Sequence, residues 1–376
     1  MKLRSKLWIF AFLFLATFAA CKNNKNVIPI GEYGSLTGGT ATFGQSTHKG
    51  IMLATDEINS QGGLLGKQIE VLTEDDQSKP EEAKTAVIKL LKQNGVIALL
   101  GEVASSRSLA AAPEAQRAKV PMISPASTNP KVTEVGDYIF RACFVDTFQG
   151  SSMAKFAYNN LKLRNVAILK DIKNDYSVGL ADFFEKTFKQ LGGNIVAVES
   201  YSEGDIEFRA QLTAIKAKNP DGIYVPGYYT EVGLIARQEK ELGLNVPLLG
   251  GDGWDSPKTI EIGGSAVNGS YFTNHYAEDD PNPVIQSFIE KFKKKYGIVP
   301  DAMAVLGYDA ANILYNAIKQ ANSADPSKIR DAIAQTKDFP GVSGSISMDK
   351  NRNAEKSIVV LTIENGKIKF KEKINP

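Results

Sequence analysis

The sequence predicts an α/β protein with two lobes, each built on a parallel central sheet covered by helices on both faces. Short apolar runs of strand length alternate with amphipathic windows of helical period along most of the 376 residues. Continuous apolar strands separated by helices are typical of buried parallel sheets. The alternation falls into two series, residues 27–145 and 146–276, each as long as one doubly wound domain. Residues 277–376 are mainly helical and end in a hairpin, so they predict no third sheet of that kind.

The N-terminus predicts export. Residues 1–20 combine a basic head with an apolar stretch, which is the pattern of a cleavable signal segment. The tetrapeptide FAAC, ending at Cys21, resembles the lipobox of bacterial lipoproteins, with Phe18 where that motif usually has leucine. The resemblance implies lipidation at Cys21, a tether over residues 21–26, and a protein held in the cell envelope by its lipid alone, facing the periplasm or the cell exterior. An ordinary signal peptide beside an unrelated cysteine is the alternative.

The two series contain strand-length runs that end in small or polar residues. The runs are VIPIGEYGSL (27–36), KQIEVLTEDD (67–76), VIALLGEV (96–103), VPMISPAS (120–127), NVAILKD (165–171), NIVAVESY (194–201), DGIYVPGY (221–228) and VPLLGGDG (246–253). Between the second and third runs, Ala83, Val87 and Leu91 fall on one face of a helical window that Pro80 can start. Strand, helix and strand in this order indicate parallel pairing.

The tail is expected to return to both lobes. Two helical windows, residues 282–297 and 301–320, precede a hairpin whose Asn365-Gly366 pair is typical of a type I′ turn. Because these elements cannot form a sheet of their own, they should complete the earlier ones, which implies several chain crossings and a hinge. The expected lobes are residues 27–145 with about 277–350, and residues 146–276 with about 351–376.

Composition and motifs argue against several classes of function. The 44 Lys and Arg residues face 42 Asp and Glu residues, so no charge excess favours nucleic acid. Phosphate-binding glycine motifs and nucleophile-elbow motifs are missing, and the two histidines, His48 and His275, fall in unrelated segments. We therefore expect no cofactor, no metal site and no enzyme, and interpret both histidines as satisfied or solvent-facing. Cys143 should be a buried apolar residue. An exported Asp/Glu hydrolase is the alternative from another class.

Hydroxyl side chains follow two neighbouring strands of the first predicted sheet. Ser105 and Ser106 follow one strand, and Ser127 and Thr128 follow the next. Ligands of open parallel sheets bind at the carboxyl ends of the strands, where helix N-termini present free N–H groups. The two clusters therefore predict a receptor for a small anion such as a carboxylate. Helix capping by serine and threonine is the alternative.

The second series offers a complementary acid. Asp252 lies between two glycines at a predicted strand end, where its carboxylate could meet a ligand ammonium, although a plain Asp-Gly turn is the alternative. Aromatic residues recur at comparable positions and could wall an apolar pocket. They are Phe43, Tyr176, Tyr228, Tyr229, Trp254 and Tyr308.

In order and spacing, the chain resembles the leucine/isoleucine/valine-binding proteins from about Ile28 to the C-terminus. The segments that carry the resemblance are SLTGGTATFGQSTHKGIMLATDEINSQGG, IEVLTEDDQSKPEEA, GEVASSRSLAAAPEAQRAKVPMISPASTNP, YIFRACFVDTFQG and AVLGYDAANIL. The resemblance implies the type I periplasmic binding fold, in which two Rossmann-like lobes are joined by a three-strand hinge. It also implies that the lobes close on an amino acid and deliver it to the permease and ATPase of an ABC importer.

The resemblance further implies roles for individual residues. Ser105, Thr128 and the backbone N–H of Ala126 would hold the ligand α-carboxylate, whereas Asp252 and Tyr228 would meet the α-ammonium. The residues implied to line the side-chain pocket are Phe43, Tyr176 and Tyr308. Asp252 stands where the family usually has the longer glutamate, so the resemblance does not determine which side chain the ligand carries. Leucine, isoleucine or valine is the first expectation, and a sensor of another amino acid, an amide or an aromatic acid is the alternative. We expect a monomer.

Overall fold

The computed structural model describes residues 26–376. The predicted signal segment, most of the tether and the proposed lipidation site Cys21 lie outside the described residues. Within residues 26–376, no helix combines the length and the apolar character needed to cross a membrane.

The first lobe is built on a five-stranded sheet in which every neighbouring pair is parallel. Its strands are β1 (Val27–Gly34), β2 (Gln68–Asp75), β3 (Ala98–Leu100), β4 (Met122–Ser124) and β5 (Ile139–Arg141). The helices between them are α1 (Ala41–Ser60), α2 (Pro80–Lys89), α3 (Ser105–Ala118) and α4 (Lys131–Glu134). The strand order is β2-β1-β3-β4-β5.

Side-chain alternation along each strand covers both faces of this sheet. Ile30 and Leu100 belong to one apolar cluster with Ile51 of α1. Leu99, one residue earlier than Leu100, belongs to a cluster on the other face with Val87 of α2. Successive strand residues point to opposite faces, so a sheet that is covered on both sides needs a continuous apolar run.

The second lobe begins with five strands and five helices. The strands are β6 (Asn165–Asp171), β7 (Asn194–Tyr201), β8 (Gly222–Tyr224), β9 (Leu248–Gly250) and β10 (Tyr271–Asn274). The helices are α5 (Asp146–Asn159), α6 (Asp175–Gln190), α7 (Arg209–Lys216), α8 (Tyr229–Glu241) and α9 (Pro257–Gly263). Neighbouring strands of this set are parallel.

The remaining chain contributes to both lobes. Its elements are α10 (Pro283–Tyr296), α11 (Ala302–Ala321), α12 (Pro326–Ala334), a small antiparallel sheet of β11 (Phe339–Gly341), β12 (Gly344–Met348) and β13 (Ala354–Glu355), and the hairpin of β14 (Ile358–Glu364) and β15 (Lys367–Ile374). Phe292 of α10 and Val305 of α11 share a cluster with Leu53 of α1. Strand β14 pairs antiparallel with β10 and β15, which gives the sheet order β15-β14-β10-β9-β8-β6-β7. The hairpin turn has positive φ at Asn365 (51°) and Gly366 (69°), as a type I′ turn requires, so that prediction is confirmed.

Within the described part of the chain, three segments pass between the lobes: residues 142–145, 275–282 and 356–357. We call them the first, second and third crossings. The resemblance implies hinge strands here, but none of the three crossings is assigned as a strand; the first and second lead from a strand into a helix, and the third joins two strands. A paired strand stays with one sheet, whereas each crossing leaves one sheet for the other.

Candidate functional site

Segments that follow the strands of the two sheets contact each other across a closed interface between the lobes. The Thr42 and Ser256 hydroxyl oxygens lie 3.0 Å apart. The Ser106 hydroxyl, at the start of α3, donates to the Asp175 carboxylate at the start of α6 over 2.9 Å. The candidate site residues lie inside this interface.

Two serines fix the loop that follows β4. The Ser124 hydroxyl donates to the Glu102 carbonyl over 2.7 Å and accepts from the backbone N–H of Ser127 over 2.8 Å. The Ser127 hydroxyl donates to the same carbonyl over 2.9 Å. The sequence pattern predicts both Ser127 and Thr128 as anion-binding hydroxyls, but in the structure Ser127 holds the loop and leaves Thr128 beside the interface.

The predicted carboxylate receptors Ser105, Ala126 and Thr128 are each at most 4% exposed. Ser105 is the first residue of α3, and its hydroxyl accepts from the backbone N–H of Asn129 over 3.2 Å. The Thr128 hydroxyl is buried and has no hydrogen-bond partner among the described residues. It lies near the buried carboxyl of Asp146, but neither group reaches the other with normal hydrogen-bond geometry. A buried polar group without a partner costs free energy, so this hydroxyl is a ready donor for a ligand.

Asp252 occupies a tight turn after β9. A side-chain carbon on Gly251 would lie 2.4 Å from the Tyr176 hydroxyl, and one on Gly253 would lie 2.7 Å from the Gly227 carbonyl oxygen. Larger residues at these two positions would clash. The glycines on either side of Asp252 therefore let the turn pack against α6 and the loop after β8. This packing leaves Asp252 only 3% exposed.

Three side chains from different elements donate to the Asp252 carboxylate. Gln149 Nε2 lies 2.8 Å and the Tyr176 hydroxyl 3.0 Å from Oδ1. His275 Nε2 lies 2.9 Å from Oδ2. A carboxylate offers about four acceptor positions. Three are used, so a ligand donor can take the remaining one on Oδ2.

Burial keeps two of these donors in the form that can donate to Asp252. Burial raises the pKa of the Tyr176 hydroxyl well above its usual value, so the group keeps its proton. Burial lowers the pKa of the His275 imidazole to about 4, although the hydrogen bond to Asp252 opposes that shift. The ring is therefore neutral at neutral pH, and its Nε2–H donates to Asp252. The interpretation of His275 as a satisfied histidine missed this contact with the predicted site acid.

Aromatic rings wall the interface next to Asp252. Tyr176 and Tyr228 stack with ring centroids 5.4 Å apart and an interplanar angle of 13°. Phe43, from the first lobe, meets Tyr228 edge to face at 5.5 Å and Tyr229 at 4.9 Å. These rings bring residues 43, 176 and 228 of the predicted pocket together.

Tyr308 is not part of this cluster. Its hydroxyl donates to Glu57 over 2.6 Å, and its ring packs against Phe288 at 4.9 Å. From the same helix, Met303 and Leu306 share an apolar cluster with Phe43 and Tyr176. Helix α11 therefore packs Met303 and Leu306, and not Tyr308, into the apolar cluster that contains Phe43 and Tyr176. No sequence signal marks these two residues, because a helical apolar stripe equally fits the core.

The fold and the site define a class: a two-lobed protein in which buried polar and aromatic side chains of both lobes meet at one closed interface. A family model described as "Periplasmic binding protein" matches residues 27–367. The leucine-, isoleucine-, valine-, threonine- and alanine-binding protein of Pseudomonas aeruginosa is 30% identical over 344 residues, which cover 91% of each chain.

Two solved structures are similar over the whole described fold. A leucine binding protein from Thermotoga maritima has a TM-score of 0.90 and 44% identity, covering 93% of this chain and 99% of that one. A branched-chain amino acid transporter substrate binding protein from Streptococcus pneumoniae, in complex with isoleucine, has a TM-score of 0.89 and 35% identity, covering 93% and 100%.

The chain therefore belongs to the periplasmic binding protein family, and the resemblance to the leucine/isoleucine/valine-binding proteins is confirmed. The α/β class with parallel sheets in two lobes is confirmed as well. The family is a class of extracytoplasmic solute-binding proteins and not of enzymes.

Proposed function

We propose that this protein is the solute-binding component of an ABC importer, and that it captures an amino acid between its closing lobes. Leucine, isoleucine or valine is the first candidate, because the relatives named above bind these ligands. The observation that carries the proposal is that one closed interface holds both a free hydroxyl donor and a carboxylate acceptor. The first lobe offers the unpartnered Thr128 hydroxyl, and the second offers the Asp252 carboxylate with an acceptor position left open.

An amino acid headgroup matches these two chemistries. Its α-carboxylate would accept from Ser105, from Thr128 and from the backbone N–H of Ala126, where the start of α3 adds the positive end of a helix dipole. Its α-ammonium would donate to Asp252, with the ring of Tyr228 beside it. Hydrogen bonds in which both partners are charged are the strong ones, so the second lobe should contribute much of the affinity.

The apolar wall suits an uncharged side chain. Phe43 and Tyr176 would line the side-chain pocket, and Met303 replaces Tyr308 as the contribution of α11 to the proposed pocket. Because the ligand would touch both lobes only when they are closed, it would favour the closed state by the difference between its affinities for the two states.

The cellular setting forms part of the same proposal. We assign residues 27–145 with about 277–355 to the first lobe and residues 146–276 with about 358–376 to the second, which moves the expected boundary near residue 350 to the third crossing. The pairing of β13 with β12 and of β14 with β10 supports this assignment. The protein would act as a monomer at the cell envelope, hold to the membrane through lipid on Cys21, and pass its ligand to a permease and ATPase.

Isothermal titration calorimetry tests the ligand. The protein from Lys22 onward, refolded to remove carried-over ligand, is titrated with each common amino acid. We expect binding of leucine, isoleucine or valine and its loss in Asp252→Ala. Asp205→Ala is the matched control, because Asp205 is an exposed acid on the same lobe. If the unaltered protein binds none of the amino acids, that result contradicts an amino acid ligand. Titration would then move to carboxylates, amides and aromatic acids.

Two cellular experiments test transport and anchoring. Deletion of the gene should abolish high-affinity uptake of the ligand found by calorimetry, and unchanged uptake would favour a sensor. Cys21→Ser should release the protein into the soluble fraction. Membrane association that survives this substitution would rule out anchoring through Cys21.

A further inference from the structure

His275 joins the proposed ligand acid to two of the crossings between the lobes. It is the first residue after β10 and begins the second crossing. Its ring stacks on Phe144 of the first crossing with centroids 3.8 Å apart and an interplanar angle of 14°. Its Nε2 lies 2.9 Å from Asp252 Oδ2, and its side chain has no exposed surface.

The three donors to Asp252 are not equivalent. Gln149 and Tyr176 both donate to Oδ1, and Gln149 Nε2 also lies 3.0 Å from the Thr273 hydroxyl. His275 is the donor recorded for Oδ2, which is the oxygen with an acceptor position left for a ligand. The orientation of that position therefore depends on the imidazole.

We propose that His275 is a positioning residue for ligand binding, whose Nε2–H aims Asp252 Oδ2 at the ligand ammonium in the closed state. This inference rests on the proposed function, since it assigns the ammonium to Asp252. It adds a residue that the roles implied by the resemblance did not include. Through the stack on Phe144, it also ties the orientation of the acid to the geometry of the crossings.

The surroundings of the ring keep it in the donating form. Asp252 lies on its Nε2 side, and Lys356 of the third crossing acts on it as a nearby positive charge. Asp146, at the start of α5, is a further buried acid that interacts with Asp252. Burial outweighs the attraction of Asp252 and lowers the pKa of the ring to about 4. Asp252 Oδ2 accepts, so the Nε2 that faces it carries the proton, and Nδ1 is buried without a hydrogen-bond partner among the described residues.

Two substitutions separate the donor from the ring. His275→Phe keeps an aromatic ring against Phe144 but removes the N–H, and His275→Gln keeps an N–H donor but removes the aromatic stack. His48→Gln is the control for an altered histidine, since His48 pairs with Glu32 in the first lobe. Calorimetry of the protein from Lys22 onward, with the amino acid that binds the unaltered protein, should show affinity about 10- to 100-fold weaker for His275→Phe. His275→Gln should restore most of that loss.

Rescue by the conservative variant is a readout that general loss of packing would not move. His275→Gln changes the packing against Phe144 more than His275→Phe does, so loss of packing alone predicts the weaker binding in His275→Gln. Loss of the donor predicts the opposite order, with the weaker binding in His275→Phe.

The outcomes separate this inference from the proposed function. Unaltered affinity in His275→Phe, or weaker affinity in His275→Gln than in His275→Phe, would overturn the role of His275 and leave the ligand site standing. Failure of the unaltered protein to bind any amino acid would remove both proposals. If His275→Phe does not fold, nitrogen-15 NMR of the unaltered protein decides: we expect a neutral ring protonated on Nε2, and an Nδ1–H ring or titration near pH 6.5 would refute the contact.

Discussion

Replacement of Thr128 by valine separates a ligand-binding hydroxyl from a structural one. The Thr128 hydroxyl is fully buried and makes no hydrogen bond among the described residues, so its removal should not destabilise the ligand-free protein. Removing an unpartnered buried hydroxyl could even stabilise the fold by about 1 kcal/mol. If the hydroxyl donates to a ligand carboxylate, its loss should cost about 1.5–3 kcal/mol of binding, or about 10- to 150-fold in Kd.

Ser127→Ala is the matched control, since the Ser127 hydroxyl donates to the Glu102 carbonyl from the same loop. Urea unfolding without ligand should show that this variant loses about 1 kcal/mol or more, whereas Thr128→Val loses none. Calorimetry should then show weaker ligand binding for Thr128→Val, the variant whose stability is unchanged, and not for Ser127→Ala. If ligand-free Thr128→Val is destabilised and its ligand affinity is unchanged, the hydroxyl hydrogen-bonds to Asp146 and has no role in ligand binding.

Three further results are expected. Asp252→Asn keeps the side-chain shape but removes the charge, so affinity for a zwitterion should fall about 30-fold or more, because a buried charged partner is worth about 2–5 kcal/mol; equal Kd values by calorimetry would argue against an ammonium site. His275 has a pKa of about 4 when folded against 6.5 as the reference value, so the unfolded chain binds its proton first, and this group lowers stability by up to about 1.4 kcal/mol per pH unit as pH falls from 6.5 to 4. Urea unfolding of His275→Gln should lack that contribution, and an identical pH dependence would exclude a neutral buried ring. Glu203→Gln removes the partner of Arg107 across the lobes, at 3.1 Å; because the Glu203 side chain is 36% exposed, we expect only about 2- to 5-fold weaker binding, and a difference that persists at high salt would contradict an electrostatic cause.

The fold class followed from the sequence because burial on both faces leaves a readable pattern. The apolar run at residues 96–103 predicted a strand, and β3 lies within it. Only three of its residues pair, since the register with β1 extends from Ile30 opposite Ala98 to Glu32 opposite Leu100. Apolar periodicity reports burial, whereas strand length depends on the neighbouring strand, so the bounds of the strands were harder to predict than their presence.

Site residues could be predicted only where a hydroxyl or carboxylate side chain follows the end of a predicted strand. Ser105, Thr128 and Asp252 each follow a strand of a parallel sheet, and the structure buries all three. Gln149 and His275 could not be found this way, because their contacts with Asp252 span 103 and 23 residues and form only in the folded chain.

The placement of Tyr308 shows a second limit. Each helical residue advances about 100°, so Tyr308 points roughly 200° away from Leu306 on α11, whereas Met303 and Leu306 share a face. The structure packs the face of Met303 and Leu306 into the cluster that contains Phe43 and Tyr176, whereas Tyr308 contacts Glu57. A resemblance in sequence cannot fix the rotation of a helix, which depends on the residues packed around it.

The contacts of Asp252 imply that ammonium binding and lobe closure are coupled. Its donors Gln149 and His275 lie on α5, which follows the first crossing, and on the second crossing itself. Gln149 moves with the second lobe, as Asp252 does, but rotation of the lobes must move the second crossing, so the open state need not hold His275 in the same orientation to the carboxylate. A ligand that contacts Asp252 then favours the closed arrangement, in proportion to its preference for that arrangement. A carboxylate ligand without an ammonium would satisfy only the hydroxyls of the first lobe, and it should bind without comparable closure.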